Sequence, residues 1–157
     1  MRECFILAGG ESRRFGEDKL TYKIRGKRCI DYVVDALRPV CERVAVVGKD
    51  PTKFSGVEFL LDKLPMQGAL VGIHTALKNT KGDKALIVSG DMPLIKSSLV
   101  LHLYQSYEPP ITIYQVKEKL YPLFGIYSKD ITEELEKYLK EGNLKVMDFL
   151  ERVGYHT

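Results

Sequence analysis

Residues 7–19 read Leu-Ala-Gly-Gly-Glu-Ser-Arg-Arg-Phe-Gly-Glu-Asp-Lys, and no other stretch of the chain gathers so many groups suited to an anion. Glycines let backbone N–H groups approach an anion with no Cβ in the way, and consecutive N–H groups form a nest that suits phosphate. Arg13, Arg14 and Lys19 supply positive charge beside Gly9, Gly10 and Gly16. The spacing is neither GxxxxGK[ST] nor GxGxxG, so neither familiar nucleotide loop is present. An ordinary glycine-containing turn with solvated charges is the competing reading. A second group is Asp91, in Ser89-Gly90-Asp91-Met92-Pro93. A carboxylate facing a phosphate site suits Mg²⁺, which takes one or two carboxylates and completes its shell with phosphates and waters. An aspartate turning the chain before proline is the plainer alternative. Asp62, ending another apolar run, favours the functional reading.

These groups are useful only if the elements carrying them end at one edge. Residues 4–8 form a short continuous apolar run stopped by Gly9, which reads as a strand buried on both faces. Residues 44–48, 57–62 and 85–89 read the same way. Apolar residues at three- and four-residue steps predict helices from 30 to 41 and from 68 to 79, with another at 97–107. Strands at 111–116 and 123–127 and helices at 131–140 and 146–153 follow. This alternation implies βαβ units and a mostly parallel sheet with helices on both faces, where ligands bind beyond the carboxyl ends of the strands. The glycine loop, Asp62 and Asp91 all fall at such ends.

The 157 residues suffice for one core and one domain. A net charge of +3, scattered along the chain, makes no footprint for nucleic acid. No apolar run approaches the roughly 18–20 residues that span a bilayer, and a soluble cytoplasmic protein is expected. Cys4, Cys29 and Cys41 are odd in number, widely spaced and without a CxxC pair, so they are expected to be isolated thiols. His74 and His102 fall inside predicted helices and His156 near the end, which suits structural roles better than catalysis. Tyr104, Tyr107, Tyr114, Tyr121 and Tyr127 fall on different elements and are expected to pack around the core rather than to build a stacking platform.

Taken together, Leu7-Ala8-Gly9-Gly10-x-Ser12-x-Arg14-Phe15-Gly16-x-Asp18-Lys19 resembles the signature loop LAGGxSxR(M/F)GxDK of the MobA family, the nucleotidyltransferases that resemble molybdenum cofactor guanylyltransferase. Asp62-x-x-Pro65-x-x-Gly68-x-Leu70-x-Gly72 is similar to that family's DxxPxxGPLxG segment, and Gly90-Asp91-Met92-Pro93 to its (C/G)DxP segment. Tyr121-Pro122-Leu123-Phe124 is similar to HPL(F/W), and Gly142-x-x-Lys145-Val146-x-x-Phe149 to GxxRVxxF. Tyr121 stands for the usual histidine, Ala69 for proline and Lys145 for arginine. The resemblance implies a Rossmann-like three-layer α/β sandwich of the nucleotide-diphospho-sugar transferase type. It also implies that Leu7, Ala8 and Gly9 contact the nucleotide and that Gly10 shapes the loop. Arg14 and Lys19 would face the triphosphate, Asp62 the base and ribose, Asp91 the Mg²⁺, and Lys145 the pterin side. Family members usually continue into a strand and an NxNTPxD segment, so the expectation is a single nucleotidyltransferase domain over 1–157, with two alternatives open: the chain continues beyond these residues, or it lacks this C-terminal segment.

The activity so implied is transfer of GMP from GTP to molybdopterin, with Arg14, Lys19 and Asp91 as the catalytic set and transient contacts with other molybdenum cofactor biosynthesis proteins. A phosphate monoester is already anionic near neutral pH, so no strong base is needed, which agrees with the lack of a credible catalytic histidine. Three alternatives stay open: a cytidylyltransferase for the same cofactor, a sugar-phosphate nucleotidyltransferase, and a GTP-binding module that transfers nothing.

Overall fold

Every residue of the first strand, β1 (Glu3–Leu7), is buried. Side chains alternate across a strand, so Phe5 and Leu7 enter one apolar layer and Cys4 and Ile6 another. Only helices on both faces can bury such a run. The structure is a computed structural model and describes residues 1–8, 13–14, 17–18, 23–92 and 94–157, with the backbone alone described at 13–14, 17–18 and 53.

Two short hairpins that the apolar pattern does not announce follow β1: β2 (Arg13–Arg14) with β3 (Glu17–Asp18), and β4 (Lys23–Ile24) with β5 (Lys27–Arg28). The chain continues as α1 (Cys29–Leu37), β6 (Arg43–Gly48), β7 (Glu58–Leu61), α2 (Ala69–Asn79), β8 (Lys84–Ser89) and α3 (Ser97–Ser106). It ends with β9 (Ile111–Val116), β10 (Lys119–Ser128), α4 (Thr132–Lys140) and α5 (Val146–Val153). The large sheet has the order β7-β6-β1-β8-β10-β9. β1 pairs in parallel with β6 and β8, and β6 with β7, while β10 runs antiparallel to both neighbours. Side chains of α1 and α3 pack with Cys4, Ile6, Val46 and Val88 on one face. Those of α2, α4 and α5 pack with Phe5, Leu7, Val47 and Ile87 on the other. The three-layer, mostly parallel α/β sandwich expected from the alternation is the observed fold.

Besides the helix expected to run to 41, which ends at Leu37, three local features depart from what the pattern predicts. The strand expected at 123–127 begins four residues earlier, and its ladder with β9 jumps from Tyr121↔Tyr114 to Gly125↔Ile113. Pro122 sits in the jump, where its missing N–H removes a ladder bond, and its carbonyl instead accepts the Tyr127 hydroxyl at 2.5 Å. Beyond β9, His156 adds a parallel bridge: its N–H donates to Ile111 O at 2.8 Å, and Ile113 N–H donates to His156 O at 2.9 Å. The third departure corrects the reading of the cysteines. Cys4 and Cys41 form a disulfide, with Cα atoms 6.3 Å apart across 37 residues of chain, and Cys29 alone is a free buried thiol. Spacing along the chain did not reveal this, because the return of α1 toward β6 is what brings Cys41 beside β1.

Candidate active site

Three backbone hydrogen bonds draw the carboxyl ends of the parallel strands into one row. Asp62 N–H donates to Gly48 O at 2.8 Å, Ala8 N–H to Val47 O at 2.8 Å, and Gly90 N–H to Leu7 O at 3.1 Å. The row therefore runs from Asp62 after β7, past the end of β6, to Leu7 and Ala8 at β1, and on to Gly90 and Asp91 after β8. This edge is where a parallel sheet presents its ligand site. Asp62 and Asp91 lie three strand spacings apart, about 14 Å, on opposite sides of β1. They cannot share one ion, and a ligand touching both must be as extended as a nucleoside triphosphate.

Each carboxylate is held by a neighbouring hydroxyl that sequence reasoning missed. Thr75 Oγ1 donates to Asp62 Oδ1 at 2.5 Å, and both residues are buried. Ser89 Oγ donates to Asp91 Oδ1 at 2.6 Å, while the Asp91 side chain is exposed. A hydroxyl two residues before a strand-end aspartate was the available signal for Ser89. Thr75, thirteen residues beyond Asp62, left none.

Two glycines of the Asp62–Gly72 segment have definite structural tasks. Gly68, the N-cap of α2, has φ +128, which an L side chain rarely adopts. Gly72 lies inside α2, and a Cβ built there would come within 2.8 Å of Leu7 Cδ2. The helix thus rests directly on the last residue of β1. Gly72→Ala is expected to overpack this contact and cost about 1–3 kcal/mol of stability, read as a lower urea midpoint. An unchanged midpoint would show that Leu7 has room to turn aside.

The surroundings favour anions. Neither α2 nor α3 carries an acidic residue in its first turn, which leaves the partial positive charge of each helix start unopposed. In α1 the first-turn Asp31 is neutralised by Arg28, whose Nε and Nη2 donate to its two oxygens at 2.8 and 2.9 Å. That pairing holds Asp31 below the usual carboxylate range, the Arg28 hydrogen bond being the main cause. Burial pushes the Cys29 thiol up, and the Asp91 carboxylate adds to the shift. Lys49, just past β6, donates to Leu64 O at 3.0 Å and pins the loop that follows Asp62.

Leu7, Ala8, Asp62 and Asp91 thus share one edge. Gly9, Gly10 and Lys19 lie outside the described residues, as does the Arg14 side chain. Lys145 is the N-cap of α5 and is exposed. Among the described residues no three His, Cys, Asp or Glu side chains converge as a metal cluster. A magnesium ion does not require one, since a single carboxylate with ligand phosphates is its usual protein share, and exposed Asp91 meets that requirement. His74 lies near the Asp62 end, lining a pocket with Leu61, Lys63, Leu64 and Thr75; burial pushes its pKa down, and among the described residues its Nε2 has no hydrogen-bond partner.

The sequence pattern of the MobA-like NTP transferase domain family matches residues 4–154. The chain belongs to this family. It is accordingly an enzyme of the nucleotidyltransferase class. It is 39% identical over 155 residues to the probable molybdenum cofactor guanylyltransferase of Aquifex aeolicus, covering 98% of this chain and 77% of that one. It is 32% identical over 157 residues to the molybdenum cofactor guanylyltransferase of Desulfosudis oleivorans, covering 97% and 78%. Among solved structures, molybdopterin-guanine dinucleotide biosynthesis protein A of Archaeoglobus fulgidus superposes with a TM-score of 0.83 at 25% identity, covering 98% of this chain and 81% of that one.

Proposed function

We propose that the protein transfers GMP from GTP to the terminal phosphate of molybdopterin, giving the guanine dinucleotide cofactor and pyrophosphate. The observation that supports this most directly is the row of strand ends with Asp62 and Asp91 on either side of the β1 terminus, in a chain of this family. An oxygen of the molybdopterin phosphate attacks the α-phosphorus of GTP. The new P–O bond forms as the bond to the bridging oxygen of the β-phosphate breaks, and pyrophosphate leaves with the electron pair. No proton need be removed, because the attacking phosphate is already ionised.

The residues contribute by position and charge. Ser89 occupies one oxygen of Asp91 and leaves the other facing solvent at the end of β8. Asp91 would hold Mg²⁺ there, and that ion would supply charge neutralisation on the phosphate oxygens. Asp62, fixed by Thr75, presents a carboxylate to the ribose hydroxyls and the base. Leu7 and Ala8 bring backbone groups to the nucleotide, and Gly9 and Gly10 continue that path. Arg14 and Lys19 would offset the triphosphate charge, and Lys145 would belong to the molybdopterin side. Among the described residues no helix is long and apolar enough to cross a membrane, and the reading places the enzyme in the cytoplasm with its substrates.

Incubation with molybdopterin, Mg²⁺ and each nucleoside triphosphate in turn, followed by pyrophosphate release, tests this. Release with GTP at least tenfold above that with CTP is expected. Preference for CTP would make the protein a cytidylyltransferase, and binding of GTP without release under any acceptor would make it a binding module.

A further inference from the structure

The strand irregularity at Pro122 builds a pocket that the chemistry above leaves unused. In a regular strand residues three apart face opposite ways, so Tyr121 and Phe124 would lie on opposite faces of β10. The extra residues between Tyr121↔Tyr114 and Gly125↔Ile113 return both rings to the same face. Tyr114 then lies directly across from Tyr121, with ring centroids 5.9 Å apart, and 5.2 Å from Phe124. With Met92, Ile95 and Leu99 these rings line a pocket of about 340 Å³.

Three observations connect this pocket to the site. Met92 follows Asp91 directly, and Phe124 pairs with Val88 one residue before Ser89, so the pocket opens beside the Asp91 end of the row. It lies on the side away from Asp62, because β10 and β9 continue the sheet beyond β8. Leu94 on its rim is 87% exposed, although its neighbours line an apolar wall. Phe124 is buried beneath the pocket as its floor, while Tyr114 and Tyr121 are half-buried, and rings with accessible edges and faces receive another flat ring by stacking. Among the described residues no hydrogen bond ties down the Tyr114 or Tyr121 hydroxyl, so each is available to the polar edge of a ligand.

We propose that the pocket of Tyr114, Tyr121, Phe124 and Met92 seats the planar heteroaromatic ring of the acceptor, placing its phosphate toward Asp91. The assignment of the ring to a pterin rests on the guanylyl-transfer reading. The two ends of the row are about 14 Å apart, so with ribose and base at Asp62, as the proposed function has them, the pocket is left to the acceptor rather than the donor base. Tyr121 is thus a specificity-determining residue, and its ring matters more than its hydroxyl.

The test is equilibrium titration of the whole protein with neopterin monophosphate as a stable probe, followed by the pterin's own fluorescence anisotropy. Wild type, Tyr121→Leu and Tyr121→Phe are compared after circular dichroism has shown each to be folded. Leucine keeps apolar volume and loses the ring, and the affinity is expected to fall about tenfold or more, as for loss of one stacking partner. Phenylalanine keeps the ring and should hold the affinity within about threefold. GTP affinity, measured by calorimetry on the same variants, should not change. Equal pterin affinity in wild type and Tyr121→Leu, or no pterin binding to wild type, would overturn the proposal. A loss of GTP affinity in its place would give the pocket to the donor base and overturn it equally. The titration needs no turnover, so failure of pyrophosphate release would count against the guanylyl-transfer reading and leave the pocket to be decided by binding.

Discussion

Asp91→Asn is expected to lower kcat for nucleotidyl transfer about 10²–10³-fold, the usual cost of removing one preorganised electrostatic contact at a transferring group. Asparagine keeps the shape and one oxygen that can accept from Ser89, whose bond to Asp91 Oδ1 is 2.6 Å long. What it loses is the charge that would hold Mg²⁺ beside the triphosphate. The side chain is exposed, so stability should move by no more than about 0.5 kcal/mol, as for a surface substitution. The effect belongs to the chemical step and should be largest at limiting Mg²⁺. Steady-state rates over a Mg²⁺ series, with urea denaturation of the same samples, separate the two quantities. Near-normal turnover at limiting Mg²⁺ would remove Asp91 from the metal site.

The largest expected effect on folding lies at the opposite edge of the sheet. Glu3 is fully buried, and its carboxylate accepts from Lys81 N at 2.9 Å, Gly82 N at 2.8 Å and Arg43 Nη1 at 2.7 Å. Arg43 also donates to Glu58 through Nε and Nη2 at 3.0 and 2.9 Å, and to Asn79 O at 2.8 Å. One buried carboxylate thus ties the starts of β1, β6 and β7 to the turn after α2. Glu3→Gln removes its charge and sets an amide NH₂ against backbone donors. A loss of about 3 kcal/mol is expected, the range for breaking a buried pair from one side. Burial pushes the Glu3 pKa up, yet the Gly82 N–H, Arg43 and the Lys81 N–H together hold it below its ordinary value of 4.5. A carboxyl depressed in the folded state contributes stability that is complete above its unfolded pKa and is lost as pH falls through the folded value. Wild type should therefore lose stability steeply below pH 4.5, and Glu3→Gln should show a shallower acid limb. Parallel acid limbs for the two proteins would remove Glu3 from acid unfolding.

Much of this was legible in the residues. Apolar runs of four to six residues, each stopped by glycine or aspartate, marked β1, β6, β7 and β8, and observed limits lie within a residue or two of those predicted. The period of three and four residues marked α1 and α2, because one buried stripe on a helix imposes that spacing whatever the helix packs on. The candidate edge was legible for a related reason: in a parallel α/β sheet every strand end on one side faces the same solvent. Ala8, Asp62, Gly90 and Asp91, placed just past those ends, are brought together by topology alone. Gly72 was visible only as a motif letter, and its contact with Leu7 explains why that position holds glycine.

What stayed hidden depends on pairs far apart in sequence. Tyr114 and Tyr121 looked like separate core residues because they lie on separate strands, and it takes the Pro122 irregularity to set both Tyr121 and Phe124 against Tyr114. Cys4 and Cys41 looked like isolated thiols because separation along the chain carries no information about a helix that returns. Thr75 gave no sign of holding Asp62 until α2 was laid against β7. The amino-acid sequence by itself determined the identity of the elements and the loops at their ends, since periodicity and turn chemistry act over a few residues. Tertiary structure decided the strand order, which sets Asp62 and Asp91 on opposite sides of β1, and the register, which makes a ring-lined pocket beside Asp91. Both arise from contacts between segments whose pairing is settled by how whole layers pack, and local pattern does not encode that choice.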